Sequence, residues 1–129
     1  MGVLEAAKPA FVICTRDRAR ATAFYRDTLG LTLAYEDRFA AVLNTGGVTL
    51  RISVVADFTP HEHTILGFNV QDVVATVKAL REKAVTFNAY QHVSQDELGI
   101  WTAPDETMRV AWFKDPDGNV LSVWNAGLV

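Results

Sequence analysis

One order of elements is written twice along this 129-residue chain. In the first half, Ala10-Phe11-Val12-Ile13-Cys14 is an apolar, β-rich run that reads as a buried strand. Asp17 follows as a helix N-cap, its carboxylate able to accept from the first free amides. Ala21, Phe24, Tyr25 and Thr28 recur at helical spacing, and Gly30 stands where a helix end takes the left-handed conformation. Three strand-like runs come next, Leu31–Glu36, Phe39–Asn44 and Val48–Val54, with Gly46-Gly47 as a hairpin signal between the last two. The second half starts over: a strand at Ile65–Val70, an N-cap at Asp72 and a helical stripe of Val73, Val77, Leu80 and Ala84. Strands at Val85–Tyr90 and Met108–Phe113 and a closing hairpin complete it. The two N-caps lie 55 residues apart and the strand ahead of each aligns at that shift. This is an internally duplicated βαβββ unit, and a duplicated unit restricts the architecture more than composition does.

The copies are not identical. Residues 56–63 carry the polar and proline punctuation of an internal boundary, and residues 91–107 are an insertion of the second copy that holds Trp101. Where the first helix ends at Gly30, the second has Ala84. A left-handed alanine costs on the order of 1 kcal/mol, so the second helix is expected to end differently. The final hairpin turns at Asp115-Pro116-Asp117-Gly118-Asn119, where Pro116 presets φ and Gly118 supplies the positive φ the turn demands. That turn fixes the register of the return strand and hence the face occupied by Ser122.

Composition narrows the function classes. Half the residues are hydrophobic, yet no apolar run reaches the length of a membrane span, and residues 1–8 lack the core of a signal peptide. A lone cysteine, Cys14, permits no internal disulfide and fits a reducing cytoplasm. A net charge of −3 with no basic cluster argues against a nucleic-acid partner.

The segments Phe24-Tyr25-Arg26-Asp27-Thr28-Leu29-Gly30-Leu31 and Phe113-Lys114-Asp115-Pro116-Asp117-Gly118-Asn119, set in the duplicated order, resemble the vicinal oxygen chelate superfamily. Its members include glyoxalase I, extradiol dioxygenases, fosfomycin-resistance transferases and bleomycin-resistance binding proteins. The resemblance covers nearly the whole chain. It implies an α+β fold in which two tandem βαβββ modules form curled mixed sheets around a cleft, often completed in a homodimer. One domain over residues 1–129 is expected, with modules at about 9–55 and 64–125. Metal-dependent members carry four His, Gln or Glu ligands on the first and last strand of each module. The resemblance puts those positions at Ala10, Arg51, Ile65 and Ser122. Alanine and isoleucine have no donor atom, a guanidinium repels a cation, and one serine is a poor ligand. A metal-independent member without a cofactor is therefore expected.

Alternation gives the same face. Phe11, Ile13, Leu50, Ile52, Leu66, Phe68, Val70, Leu121 and Val123 share an apolar parity suited to packing under helices. The opposite parity, with Ala10, Val12, Cys14, Thr49, Arg51, Ser53, Ile65, Gly67, Asn69, Val120, Ser122 and Trp124, mixes small, polar and aromatic residues as a binding surface would. The bland alternative is a half-solvated sheet. Arg51 either holds an anionic oxygen of a ligand or pairs with Glu36, Asp37 or an acid of a second chain. Trp124 and Trp101 are an aromatic wall or packing residues. Cys14 lacks a cation placed beside it and reads as a buried thiol, though it shares the cleft parity. His61 and His63 lack a third ligand, His92 has no assigned role, and the face of Trp112 is open. No Gly-rich phosphate loop or nucleophile elbow is present.

The reading that follows is a small-molecule-binding protein of the glyoxalase/bleomycin-resistance type that sequesters a toxic or antibiotic compound. Its ligand is aromatic and neutral or anionic, held by Arg51, Asn69, Ser122, Trp124, Trp101 and Cys14, with no catalytic residue. One alternative is a metal-free lyase or isomerase in which Arg51 stabilises an oxyanion. A second is a dimeric regulatory module with a vestigial cleft.

Overall fold

The computed structural model describes residues 2–126, in two compact units that divide between Phe58 and Thr59. In the first, β1 (Ala10–Thr15) leads into α1 (Arg18–Ala23), followed by β2 (Thr32–Glu36), β3 (Ala40–Thr45) and β4 (Val48–Val54). In the second, β5 (Thr64–Asn69) leads into α2 (Val73–Glu82), followed by β6 (Trp101–Thr102), β7 (Met108–Lys114) and β8 (Val120–Ala126). Among the described residues these strands make two four-stranded mixed sheets of matching order, β1-β4-β3-β2 and β5-β8-β7-β6. The first strand of each unit runs parallel to the last, and the remaining pairs are antiparallel. This is the fold the duplicated pattern predicts.

Local chemistry explains where the elements start and stop. Asp17 and Asp72 are extended N-caps whose carboxylates accept from the amides of Arg20 and Ala75. Each fills part of the deficit of unpaired donors at a helix start. The first helix loosens into a π-turn over Phe24–Thr28, where the Leu29 amide reaches back to the Phe24 carbonyl. Gly30 then takes φ +84°. The second helix ends in the same way, contrary to expectation: Ala84 adopts φ +67°. The Val85 amide bonds the Leu80 carbonyl at 3.1 Å and the Ala84 amide bonds that of Arg81 at 2.9 Å, so the left-handed alanine is held by bonds that satisfy the helix end.

Gly46 and Gly47 both have positive φ, as a type I′ hairpin between β3 and β4 requires. Phe11, Ile13, Leu50, Ile52, Ala41 and Leu43 lie on one face of the first sheet. All but Phe11 are buried, under the face on which α1 packs. In the second sheet α2 packs on β7 and β8 through Val73 and Val77, over a core of Ala111, Phe113, Leu121 and Val123.

Two expectations need correction in the second unit. Val85–Tyr90 does not form a strand; Phe87 alone bridges to Phe113, because the chain must turn early to enter a long loop. The strand that completes the sheet comes instead from inside the insertion, at Trp101–Thr102.

Candidate functional site

The return strand β8 sets the site. Its register comes from the turn before it, where Asp115 acts as a hub. One of its oxygens accepts from the amides of Asp117 (2.9 Å) and Asn119 (3.0 Å), the other from the Asn119 side chain (2.8 Å). Asp115 and Asn119 are both nearly fully buried, so this closed circuit allows little slippage. Gly118, at φ +94°, is needed twice over, since a Cβ there would also press on Pro60 at 3.2 Å.

With the register fixed, Lys114 pairs with Val120, Trp112 with Ser122 and Val110 with Trp124. On the other side of β8, Gly67 pairs with Ser122 and Asn69 with Trp124. Facing pairs share a side of the sheet, so Gly67, Ser122 and Trp112 form one row, and Asn69, Trp124, Val110 and Trp101 the next. The side so defined lies opposite α2. It bears a cavity of about 350 Å³ lined by Thr64, Gly67, Met108, Val110, Trp112, Ser122 and Trp124. Two indoles and two apolar side chains dominate its walls, and no lining residue titrates.

Ser122 and Trp124 thus share one cavity, as the alternation predicts. Asn69 and Trp101 lie on the same side of the sheet without lining it. Ile65 does not line the cavity; a β-bulge does the sorting. Thr64 pairs with Val120 and Leu66 with Leu121, leaving Ile65 as the extra residue and bringing Thr64 to the lining. Strict alternation through β5 cannot anticipate that slip. Trp112 was readable in principle, because it stands as far before Asp117 as Ser122 stands after it.

The insertion is braced. The Gln95 side chain donates to the carbonyls of Asn88 and Gly99, both at 2.8 Å, and accepts from the Tyr90 amide. Asp96 accepts from the amides of Leu98 and Ile100. Tyr90 packs edge-on against Trp112 with ring centroids 5.5 Å apart, so this loop buttresses a wall of the cavity.

Arg51 and Cys14 belong to the first unit. Arg51 lies between Val12 and Val42, and Cys14 pairs with Ser53 on the same side of the sheet. The Arg51 guanidinium stands 3.5 Å from the Asp37 carboxylate, both partly exposed. Hydrogen bonds from the Phe39 and Ala40 amides, with a smaller contribution from Arg51, hold the Asp37 carboxyl below its ordinary range. That contact is the salt bridge weighed as one reading of Arg51. It is long, and among the described residues most of the five guanidinium donors have no other protein partner.

The positions implied for metal ligands, Ala10, Arg51 and Ser122, with Thr64 replacing Ile65 on the lining, bring no carboxylate or imidazole. Among the described residues no three His, Cys, Asp or Glu side chains cluster so as to hold a metal ion. The His61 and His63 rings stack at 4.8 Å in their loop without a third ligand. This donor set does not suit a divalent ion.

Comparison with known proteins agrees with the fold. The sequence description of the Glyoxalase/Bleomycin resistance protein/Dioxygenase superfamily matches residues 9–123. A lactoylglutathione lyase from Agrobacterium tumefaciens superposes with a TM-score of 0.70 at 18% identity, covering 93% of each chain. A fosfomycin resistance protein from Listeria monocytogenes gives 0.74 at 13% identity, again over 93% of each. A glyoxalase/bleomycin resistance protein/dioxygenase from Nocardioides gives 0.66 at 17%, over 93% of this chain and 85% of that one. No curated protein matches the sequence.

Proposed function

Because the chain belongs to the Glyoxalase/Bleomycin resistance protein/Dioxygenase superfamily, we propose that it is a metal-independent small-molecule-binding protein that holds a flat aromatic compound against Trp112 and Trp124. One observation carries this reading. The lining of the cavity joins two indoles to a serine and a threonine hydroxyl and contains no carboxylate, imidazole, amine or thiol. Such walls stack and orient a ring and can hydrogen-bond an oxygen, but they hold no acid or base to move a proton. Sequestration of a toxic or antibiotic compound needs no more than that.

Tryptophan fluorescence titrated with neutral and anionic planar aromatics tests the proposal. Saturable quenching that Trp124→Ala weakens roughly tenfold or more is expected, given what burial of an aromatic contact contributes. A panel without quenching rejects the reading. Metal analysis of the purified protein is the companion measurement, and a stoichiometric ion retained through dialysis would overturn metal independence.

Arg51 supports a second reading, a metal-free lyase or isomerase, because its loosely held guanidinium could take an oxyanion in place of Asp37. Turnover of an α-keto or epoxide substrate that Arg51→Ala abolishes would promote it. The protein is further proposed to be a cytoplasmic homodimer. Phe11 and Val12 stand 46% and 61% exposed on β1, a terminal strand of its sheet, and that exposed apolar strand favours association. Sedimentation at monomer mass would reject the dimer. No helix among the described residues is long and apolar enough to cross a membrane.

A further inference from the structure

Gly67 is the residue of the cavity whose replacement would change it most. It sits in β5 opposite Ser122 and diagonal to Trp124. A Cβ placed on it would stand 2.9 Å from Ser122 Oγ, 2.9 Å from Trp124 Nε1 and 3.1 Å from Trp124 Cδ1. The hydroxyl and the pyrrole edge of the indole therefore converge over bare backbone, each occupying space that any side chain would need. Among the described residues neither the Ser122 hydroxyl nor the Trp124 indole N–H has a hydrogen-bond partner. An indole N–H can only donate, and a hydroxyl can donate or accept. The walls around this polar spot are Met108, Val110 and Trp112, with the Thr64 hydroxyl in addition.

We infer that Gly67, Ser122 and Trp124 form a selective subsite for a planar aromatic molecule bearing a ring-conjugated oxygen acceptor, such as an aryl ketone, with Gly67 as the residue that sets its specificity. The inference rests on the binding role proposed above and names the ligand's chemistry. The oxygen accepts from the Trp124 N–H and the Ser122 O–H while the ring lies along Trp112 and Val110. A ligand without the oxygen leaves two partly buried donors unpaired, which is the situation that makes polar sites discriminate strongly. An ammonium group is disfavoured, because the indole donor would face another donor. The cavity volume is near the lower end for small-molecule sites, so a one- or two-ring compound fits and a large antibiotic does not.

The test titrates the full chain with 2-acetylnaphthalene and with 2-isopropenylnaphthalene, which replaces the carbonyl oxygen by a methylene at nearly unchanged shape. Binding is read by fluorescence and by the indole N–H resonances of the three tryptophans. The ketone should bind about tenfold more tightly than the alkene, as expected for one or two hydrogen bonds, and should shift the Trp124 resonance downfield. Ser122→Ala and Trp124→Phe should each reduce that ratio severalfold. Gly67→Ala should abolish ketone binding, with thermal melting used to show that the variant folds. If it does not fold, the ratios in the other two variants decide. Equal affinity for the two probes, or a ratio that survives both substitutions, overturns the inference and leaves the binding role standing. Failure of both probes to bind, together with a silent panel in the earlier titration, removes the binding role itself.

Discussion

The two units share strand order and helix N-cap, yet they differ at the helix end, at the last hairpin and on the first strand. The first unit solves its turns with glycine: Gly30 ends the helix, and Gly46-Gly47 joins β3 to β4. The second uses Ala84 for the helix end and, for the hairpin, a five-residue loop organised by a buried aspartate. It also carries a bulge at Ile65 that the first strand of the other unit lacks. Equivalent positions in a repeat can thus be met by conformational freedom or by side-chain bonding. The bonded solution fixes register more firmly, and it adjoins the strand that carries Ser122 and Trp124.

That contrast can be broken most severely at Asp115. Asp115→Ala removes the hydrogen bonds that its carboxylate accepts from Asp117 and Asn119 in a buried turn, so a loss of roughly 3 kcal/mol in urea unfolding is expected. Gly47→Ala, at the matching hairpin of the first unit, should cost only about 1 kcal/mol of left-handed strain. Equal losses would show that the hub is no more than a turn.

Helix ends give a smaller effect with opposite signs in the two units. Gly30→Ala should destabilise by about 1 kcal/mol, whereas Ala84→Gly should stabilise by somewhat less, since glycine also gains freedom in the unfolded chain. A destabilising Ala84→Gly would mean that the alanine methyl contributes packing that outweighs its strain.

The smallest effect concerns acid. Asp37, in the turn between β2 and β3, and Asp105, in the turn between β6 and β7, each accept hydrogen bonds that lower their carboxyl pKa. For Asp105 both main bonds come from Thr107, its hydroxyl first and then its amide. A carboxyl whose pKa is lower in the folded state adds stability above the ordinary value of about 3.9, and loses it as pH falls through the folded value. Asp37→Asn and Asp105→Asn should each flatten stability against pH below about pH 4 while lowering it at neutrality. A pH profile unchanged in either variant would remove that turn from the comparison.

Much of this was legible in the residues alone. The 55-residue shift, the N-caps at Asp17 and Asp72 and the Asp115–Asn119 turn come from local signals, because caps and turns are built by side chains acting on their own backbone. Alternation put Ser122 and Trp124 on one side of the sheet, since period two follows from strand geometry itself. The bulge at Ile65, which exchanged it for Thr64, left no mark in the pattern, because a bulge is defined by the partner strand. The pairing of Trp101 with Val110 inside an apparent loop was likewise decided by the partner strand, whereas the left-handed Ala84 is held by local backbone bonds that close its helix against the preference of an alanine. Sequence determined the repeat, the caps and the faces. Only packing across strands decided that Gly67 leaves the space in which a serine hydroxyl and an indole N–H meet.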